Sequence, residues 1–417
     1  MTLIGIGTGV ILARVLAPEG RGLFQLIVVT VPTLLANLVK LGIPQASVYF
    51  IRRRGVAAGR VVSTAVAVAV GTGGLAMVGC YVARDWLLAN LMKGASVDAF
   101  YSVLVVVPFV ILQAYLMGIA QGLERFREYN FQQIVPNVLA LVGMAVVLLW
   151  LDLGLTAAVW TQVGIMVFTC LWIAVRVNRL APIRPRLDVK LLRGMLAFGG
   201  LSHVQTLAAT SHMRVDQALI GYLSDSAQVG MYTVAVNLTG LLLRVPDALG
   251  TVLFPRLAAA DEGAAHAATA TVCRHTFALM MLGGAGYAVA GPSVLRLLYG
   301  SRFEESIVPM LILLPGVVMM ALYLLLTRNF TSRNRQHVNA VAAVTALVVN
   351  VGLNVWLIPR WGIRGSALSS VVSYGLAATI LLVMFHRESG LPYRAVLLLS
   401  GDDLRSLRVR LSRGNRS

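Results

Sequence analysis

The residues best suited to chemistry in this sequence are an arginine and an aspartate within an apolar stretch, residues 230–255. If the stretch forms one helix, its polar residues recur every three or four positions and share one face. They are Thr233, Asn237, Gly240, Arg244, Asp247 and Thr251. Charged residues are costly inside a bilayer and normally face a bundle interior or a water-filled cavity. The pattern therefore predicts that Arg244 and Asp247 line a polar cavity, with an ion pair that joins helices as the alternative.

Two further apolar stretches carry polar faces with the same spacing. In residues 23–51 this face consists of Thr30, Thr33, Asn37, Lys40 and Pro44. Residues 194–223 have two such faces, and the sequence does not decide which one meets the cavity. One consists of Ser202, Gln205, His212 and Asp216, and the other of Thr206, Thr210, Arg214 and Gln217. We predict that Asn37 and Asn237 line the cavity together with the charged residues of their faces.

These stretches hold more positive than negative charge. The bases are Arg14, Lys40, Arg214 and Arg244, against the acids Asp216 and Asp247. Arg14 lies near the end of the first apolar stretch, where snorkelling to the surface is the alternative. Unpaired buried charge is costly, so the surplus favours an anion in the cavity. A diphosphate fits because arginine offers a fork of donors to phosphate oxygens and lysine a compact charge, although an acidic drug or a lipid headgroup satisfies the same argument.

The elements that position these residues are predicted to be membrane helices, which makes the chain an all-α membrane protein. Of its 417 residues, 58% are hydrophobic and 12% are charged, whereas soluble domains have about a quarter charged residues. The first apolar stretch is short, since a span needs about 20 residues, and we expect the chain to start upstream. The sequence predicts about twelve transmembrane helices, at residues 3–16, 23–51, 61–83, 101–121, 131–151, 155–177, 194–223, 230–257, 266–290, 306–327, 338–359 and 362–385.

Charge and cysteine usage exclude other classes. The net charge is +18, but the basic residues lie mainly in short connections and in the last thirty residues, so nucleic acid is not a predicted partner. Cys80, Cys170 and Cys273 lie in separate stretches without metal-ligand spacing, which predicts neither disulfides nor a metal site. No cofactor is predicted beyond a proton or sodium ion coupled through Asp216 or Asp247. If both termini are cytoplasmic, most of the basic residues lie on the cytoplasmic side of the membrane, as the positive-inside rule requires. The sequence therefore predicts cytoplasmic N- and C-termini.

Several residues in the first half of the chain recur 208 positions later in the second half. Gly22 aligns with Gly230, Tyr115 with Tyr323 and Gly154 with Gly362. Six spans in each half imply two pseudo-symmetric six-helix bundles related by an axis along the membrane normal, with the substrate site between them. This axis should bring Lys40 and Arg244 to a comparable depth. The predicted units are an N-terminal bundle (1–177), a basic cytoplasmic linker (178–193), a C-terminal bundle (194–386) and a basic cytoplasmic tail (387–417).

Several local motifs resemble one known family. Residues 11–24, ILARVLAPEGRGLF, together with Gly42-Ile43-Pro44 and Phe254-Pro255-Arg256-Leu257, resemble bacterial polysaccharide-biosynthesis proteins of the Wzx type. These are lipid-linked oligosaccharide flippases of the multidrug/oligosaccharidyl-lipid/polysaccharide (MOP) exporter superfamily. The resemblance implies a V-shaped, alternating-access transporter of the bacterial inner membrane that moves an undecaprenyl-diphosphate-linked glycan to the outer leaflet. It also implies that bases of the first, second, seventh and eighth helices line the cavity, here Arg14, Lys40, Arg214 and Arg244.

Two other functions compete with this interpretation. A cation-coupled multidrug exporter of the same superfamily should have an acid-rich cavity, which the surplus of bases argues against. A membrane glycosyltransferase or polymerase needs a large outer loop or paired carboxylates, and the longest outer connection, residues 84–100, has Asp85 and Asp98 but no paired-acid motif. The sequence therefore favours a transporter rather than an enzyme. Its predicted partners are the lipid bilayer and a polyprenyl-diphosphate-linked glycan, with a polymerase and glycosyltransferases of the same pathway as further candidates.

Overall fold

The computed structural model describes residues 2–184, 186–399, 401 and 403, with the backbone alone described at positions 2, 201, 202, 205, 209, 212, 213, 254–256 and 258. Helices are the only regular secondary structure of these residues, which confirms the predicted all-α class. Short π-helical turns occur at Gln25–Thr30 and Ala145–Trp150 and a 3-10 turn at Ser301–Ser306. The α-helices are α1 (Thr2–Phe24), α2 (Val31–Val39), α3 (Ile43–Arg52), α4 (Ala58–Val82), α5 (Arg84–Asn90), α6 (Val97–Gly122), α7 (Phe126–Met144), α8 (Gly154–Leu180), α9 (Val189–Leu223), α10 (Ser226–Gly240), α11 (Arg244–Ala259), α12 (Glu262–Tyr299), α13 (Ile307–Ser332), α14 (Gln336–Ser389) and α15 (Tyr393–Leu397).

The helices have the length and surface of a multi-pass membrane protein. Eight helical stretches of the described chain are long and apolar enough to cross a bilayer, and the bent pair α10 and α11 raises the number to nine. Large apolar side chains cover their outer faces, among them Leu75, Leu282 and Val289, which are 71%, 74% and 83% exposed. Such surfaces are unfavourable in water but match the hydrocarbon of a lipid bilayer.

Two of the long helices contain a residue with non-helical backbone angles. Ala17 in α1 has φ 57°. The next residue, Pro18, disfavours helical angles at Ala17, and it has no backbone N–H to donate. Gly362 in α14 has φ 55°, a conformation that glycine adopts without steric cost. Each of these helices is therefore two helical segments that meet at a kink, residues 2–16 and 18–24 in α1 and residues 336–361 and 363–389 in α14.

The prediction of one continuous helix over residues 230–257 is wrong. α10 ends at Gly240 and α11 begins at Arg244, with a bend of 46° between them. Backbone N–H groups of residues 241–244 bond to carbonyls three residues earlier, as in a 3-10 turn. Pro246 has no N–H for the carbonyl of Leu242, and its ring crowds that carbonyl, which accounts for the break. The polar face predicted for this stretch is therefore divided between two helices.

The second predicted span, residues 23–51, is also broken. α2 and α3 are separated at Gly42, which has φ 69°. A Cβ atom at Gly42 would lie 2.2 Å from the carbonyl oxygen of Gly199 in α9, so both the turn and the helix contact require glycine here. The Tyr115 hydroxyl donates to the Lys40 carbonyl at 3.0 Å and thereby satisfies one of the free carbonyls at the end of α2.

The connection between α8 and α9 folds against the start of α4. The Asp188 carboxylate accepts a hydrogen bond from the Leu191 backbone N–H and caps α9. It also pairs with Arg60, whose side-chain hydrogen bond holds the pKa of the Asp188 carboxyl below its usual range. At the other end of the chain, Asp403 is buried and pairs with Arg274 of α12. The rest of the predicted basic tail, residues 404–417, lies outside the described residues.

Candidate substrate cavity and buried polar cluster

A cavity of about 420 Å³ lies between α1, α7, α10, α11 and the end of α12. Two predicted site residues, Asn237 and Arg244, line it. The break in the eighth span places Arg244 on the first turn of α11, where its side chain is exposed. The cavity offers a guanidinium and several amides to a polar ligand, and its lining residues are Gly5, Ile6, Gly9, Gln133, Asn137, Asn237, Leu238, Leu241, Arg244 and Tyr299.

Lys40 and Asn37 lie on a different surface, the polar contact between α2 and α9. The Asn37 amide donates to the Thr210 hydroxyl at 2.8 Å, and the Lys40 ammonium donates to the Asn37 side-chain oxygen at 3.2 Å. The Thr30 hydroxyl, just before α2, donates to the Gln217 side-chain oxygen at 2.8 Å. The face of α9 that carries Thr210 and Gln217 therefore meets α2, and no described residue of either predicted face of α9 lines the 420 Å³ cavity. Ser202, Gln205 and His212 of the other predicted face have side chains outside the described residues.

Arg14 joins the two halves of the chain at their predicted outer end. Its Nε and Nη2 atoms donate to the carbonyl oxygens of Leu298 and Leu297 at 2.8 and 2.6 Å. These carbonyls belong to the last turn of α12, where a helix has free acceptors and partial negative charge. In this conformation Arg14 therefore binds the protein's own backbone.

Asp216, on the other face of α9, is the centre of a buried polar cluster. Its Oδ2 atom accepts hydrogen bonds from the hydroxyls of Tyr232 at 2.9 Å and Ser370 at 2.5 Å. Its Oδ1 atom accepts from the Asn354 amide at 2.8 Å, and that amide also lies 3.1 Å from the Asn350 side-chain oxygen. The carboxylate is 3% exposed, and its partners among the described residues are neutral. A carboxylate in such surroundings is suited to bind a proton or a small cation.

Asp247, the second predicted coupling residue, has a different environment. It lies in the first turn of α11 and is partly buried, and its backbone carbonyl accepts the Thr251 hydroxyl at 2.9 Å. It forms no ion pair with Arg244 in the described structure. Groups of three or more His, Cys, Asp or Glu that could hold a metal ion are absent from the described residues.

Sequence reasoning missed Arg21 and the partners of Asp216. Arg21 belongs to the kinked second part of α1, is 5% exposed, and has an Nε atom without an acceptor among the described groups. The prediction treated residues 17–22 as a connection between spans, which hid Arg21. The sequence shows Asn350, Asn354 and Ser370 as isolated polar residues in apolar stretches. It does not show that all three lie around Asp216.

Sequence comparisons match this chain to a polysaccharide biosynthesis family and to two relatives named as a transporter and a flippase. The family described as "Polysaccharide biosynthesis protein" matches residues 1–260. A "Putative O-antigen transporter" of Shigella flexneri is 22% identical over 406 residues, which cover 93% of this chain and 94% of that protein. A "Probable low-salt glycan biosynthesis flippase Agl15" of Haloferax volcanii is 22% identical over 239 residues. That match covers 56% of this chain, which thus spans half the length of that relative.

Solved structures share the fold at low sequence identity. An inward-closed structure of the lipid II flippase MurJ matches with a TM-score of 0.77 at 13% identity, over 93% of this chain and 88% of that one. An inward-facing MATE-family multidrug resistance transporter of the MOP superfamily matches with a TM-score of 0.75 at 16% identity, over 94% and 95%. These likenesses establish that the chain has the fold of MOP-superfamily transporters.

Proposed function

Because the chain belongs to the polysaccharide biosynthesis protein family, we propose that it is a flippase that moves a lipid-linked oligosaccharide across a membrane. The observation that carries this proposal is the cavity with Arg244 and Asn237 in a MOP-superfamily fold. The names of the two relatives, a glycan biosynthesis flippase and an O-antigen transporter, support the same cargo class. The membrane is the bacterial inner membrane and both termini are cytoplasmic, in line with the distribution of basic residues.

The proposed architecture is twelve spans in two six-helix bundles. Eight helical stretches are long and apolar enough to cross a bilayer. Two of them, α1 together with α2, and α14, are long enough for two spans each, and we place the divisions at their kinks. The bent pair α10 and α11 supplies the eleventh span, and α9, which is 35 residues long, supplies the twelfth. The low hydropathy of α9 comes from its polar residues, of which Thr210, Asp216 and Gln217 bond to other helical parts of the protein.

A contact between repeat-related glycines supports the two-bundle arrangement. A Cβ atom at Gly22 would lie 1.7 Å from the Ser226 carbonyl oxygen, and one at Gly230 would lie 2.0 Å from the Pro18 carbonyl oxygen. Gly22 and Gly230 are the positions that the repeat aligns, and they face each other in a reciprocal contact. Reciprocal contact between equivalent residues is expected where a two-fold axis passes between two repeats. The proposed axis therefore passes close to these glycines.

The cargo chemistry follows from the basic residues of the cavity region. Arg244 and Asn237 are exposed to the cavity and offer donors to the diphosphate and to sugar hydroxyls, while the polyprenyl tail remains in lipid. We propose that Arg14, Lys40 and Arg214 complete the basic lining as the halves move. Arg14 binds carbonyls of the opposite half, and Lys40 lies at the surface where the halves meet. We propose that glycosyltransferases and a polymerase act before and after this step.

Asp216 is the proposed coupling residue. Its carboxylate connects α9 with α10 and α14 through Tyr232, Asn354 and Ser370. Binding of a proton or Na⁺ there removes a buried negative charge and changes these hydrogen bonds, which links the ion to the relative positions of three helices. Asp247, which is more exposed, is the weaker candidate.

Transport in proteoliposomes tests the proposed function. A labelled polyprenyl-diphosphate-linked oligosaccharide should cross to the opposite leaflet with its covalent structure unchanged. Arg244→Ala and Lys40→Ala should each slow this step by about tenfold or more, since each removes a positive charge that is proposed to contact the diphosphate. The exposed Arg302→Ala at the outer end is the matched control and should transport normally. Normal rates in both Arg244→Ala and Lys40→Ala would contradict the electrostatic mechanism.

A further inference from the structure

A second cavity, of about 780 Å³, lies between the start of α4 and the connection from α8 to α9. It shares no described lining residue with the 420 Å³ cavity. α8 ends at Leu180, α4 begins at Ala58 and α9 begins at Val189, so the cavity lies where three long helices end. The ends of membrane helices lie at the depth of the lipid headgroups. This position places the cavity beside the headgroup layer rather than within the hydrocarbon.

The cavity has a surplus of positive charge. Its lining includes four basic residues and one acid, Asp188. Asp188 already pairs with Arg60, which is one of the four. The other three, Arg184, Arg186 and Lys190, are exposed and belong to none of the ion pairs between described residues. Three positive charges around this cavity therefore have no counter-charge.

Apolar side chains lie beside these bases. Leu187 and Val189 also line the cavity, and they are 51% and 62% exposed. In the sequence they alternate with Arg186, Asp188 and Lys190. A segment that lies on a bilayer combines such residues, because its apolar atoms reach acyl chains while its bases reach phosphates. A water-soluble anion would use the bases but not the two apolar side chains.

Hydrogen bonds hold the two walls of the cavity together. The backbone N–H of Arg184 donates to the Ser63 hydroxyl at 3.0 Å, and that of Asp188 donates to the Thr64 hydroxyl at 3.4 Å. Both hydroxyl residues are buried in α4. Ala57 provides no side-chain cap for α4, so the free N–H groups of its first turn add partial positive charge at this wall.

We propose that this cavity binds the headgroup of an anionic glycerophospholipid. Arg184, Arg186 and Lys190 bind the phosphate, since arginine and lysine are both suited to phosphate oxygens, and an acyl chain lies against Leu187 and Val189. Basic pockets between membrane helices bind such headgroups elsewhere. A purely topogenic role of the bases would need neither a cavity nor exposed apolar neighbours. The inference does not depend on the cargo of the transporter.

A bound lipid would fasten the connection between the two halves of the chain. One wall of the cavity is α4, in the first half, and the other is the segment that leads into α9, in the second half. A phosphate that bridges the bases of this segment beside α4 adds to the two hydrogen bonds that already join the walls. Local opening of the segment should therefore become rarer when the lipid is bound.

The first test removes the charge and measures lipid binding to the whole chain by native mass spectrometry. The triple variant Arg184→Gln, Arg186→Gln, Lys190→Gln should bind phosphatidylglycerol at least about tenfold more weakly than the wild type, because the charges that attract its phosphate are gone. Phosphatidylethanolamine, which has no net charge, should bind the wild type and the variant with affinities within about twofold of each other.

A matched control removes the same charge at exposed bases outside the cavity, and its affinity for phosphatidylglycerol should stay within about twofold of the wild type. The control substitutions are Arg53→Gln, Arg125→Gln and Arg387→Gln. An equal loss in the control and in the cavity variant would mean that net charge alone attracts the lipid, which would overturn the site. An unchanged affinity of the cavity variant would overturn it as well.

The second test separates a phospholipid from a soluble phosphate. Glycerol phosphate, which lacks acyl chains, should bind the wild type at least about a hundredfold more weakly than phosphatidylglycerol, since it buries no apolar surface. Leu187→Ser with Val189→Ser should weaken the binding of phosphatidylglycerol by about threefold or more. Equal affinities for glycerol phosphate and phosphatidylglycerol would identify a site for a free anion and refute the lipid assignment.

The third test locates the lipid on the wild-type chain by hydrogen–deuterium exchange in nanodiscs. Amides of residues 183–190 should exchange at least about threefold more slowly in phosphatidylglycerol than in neutral phosphatidylcholine. Amides of α5, at the opposite predicted side of the membrane, should exchange equally in both lipids. Slower exchange should be absent from the triple cavity variant. Identical exchange of residues 183–190 in the two lipids would show that no anionic lipid occupies the cavity.

Discussion

Three acids are buried in the described residues, and their surroundings give them different roles. Glu128 pairs with Arg176, and Asp403 pairs with Arg274, so both carboxylates have a fixed counter-charge. Asp216 is bonded only to neutral hydroxyl and amide donors. A permanent counter-charge would leave no energetic reason for a cation to bind, whereas neutral donors stabilise the carboxylate and leave its charge available. This difference is why Asp216 is the proposed coupling residue.

Asp216→Asn should abolish coupling without unfolding the protein. The amide has the same shape and keeps part of the hydrogen bonding, so we expect the free energy of unfolding to change by no more than about 2 kcal/mol. An imposed proton or Na⁺ gradient should accelerate glycolipid flipping by the wild type and have no effect on the variant. Asp247→Asn is the control and should remain gradient-dependent. Loss of coupling in Asp247→Asn alone would transfer the role to that residue.

At the scale of the helices, the two halves are held together by contacts that leave no room for a side chain. α1 and α10 cross at Gly22 and Gly230, and the turn between α2 and α3 meets α9 at Gly42 and Gly199. Close backbone approach is a common way for helices to associate in lipid, where the hydrophobic effect does not drive packing. Such contacts can separate and re-form as rigid units, because no interlocked side chains have to rearrange.

Gly22→Ala should therefore open the contact between α1 and α10. The added Cβ would lie 1.7 Å from the Ser226 carbonyl, so the helices must move apart, at a cost of about 1–3 kcal/mol to the closed state. We expect a population shift of about tenfold or more towards the outward-open conformation. Spin labels on α5 and on the connection between α9 and α10 would report it as a longer distance by electron spin resonance. Gly74→Ala has free space around its Cβ and should leave the distances unchanged.

At the scale of the whole molecule, hydrogen bonds join the halves on two sides. At the predicted outer end, Arg14 and Lys93 donate to backbone carbonyls of the opposite half. Along the α2–α9 surface, Asn37 bonds to Thr210. The cavity with Arg244 lies elsewhere between the halves. Alternating access by movement of the two halves requires that the bonds at the outer end break, and single charge-assisted bonds of this kind are weak enough to do so.

A cross-link across the α2–α9 surface should stop this movement. The Asn37 amide and the Thr210 hydroxyl lie 2.8 Å apart, and a disulfide between cysteines at the two positions requires Cα atoms within about 7 Å of each other. The native Cys80, Cys170 and Cys273 are buried and would first be replaced by alanine. Oxidation of the double-cysteine variant should reduce flipping to the background rate, and a reductant should restore it. Each single-cysteine variant controls for oxidation, and transport at the full rate after cross-linking would rule out movement at this surface.

The sequence by itself determined the helical class, the membrane environment and the positions of most helices. The predicted stretch 155–177, for example, lies within α8, because hydropathy and spacing are properties of a single segment. It also identified Arg244, Asn237 and Asp216 as polar residues in an apolar setting, since charge in lipid is costly wherever the helix packs. The functional roles of all the predicted site residues stay predictions: cargo contact for Arg14, Asn37, Lys40, Arg214, Asn237 and Arg244, and ion coupling for Asp216 and Asp247.

Only the tertiary structure decided which groups meet. Periodicity placed two polar faces on α9 but could not tell that Thr210 contacts α2 while Asp216 contacts α10 and α14, because a face does not specify its neighbour. The break before Arg244 was hidden because the 3-10 hydrogen bonds of residues 241–244 keep the backbone bonded without changing the hydropathy of the segment. Arg21 was hidden for a related reason: it is buried where α1 crosses α10, a contact between helices that are distant in sequence, which no local pattern records.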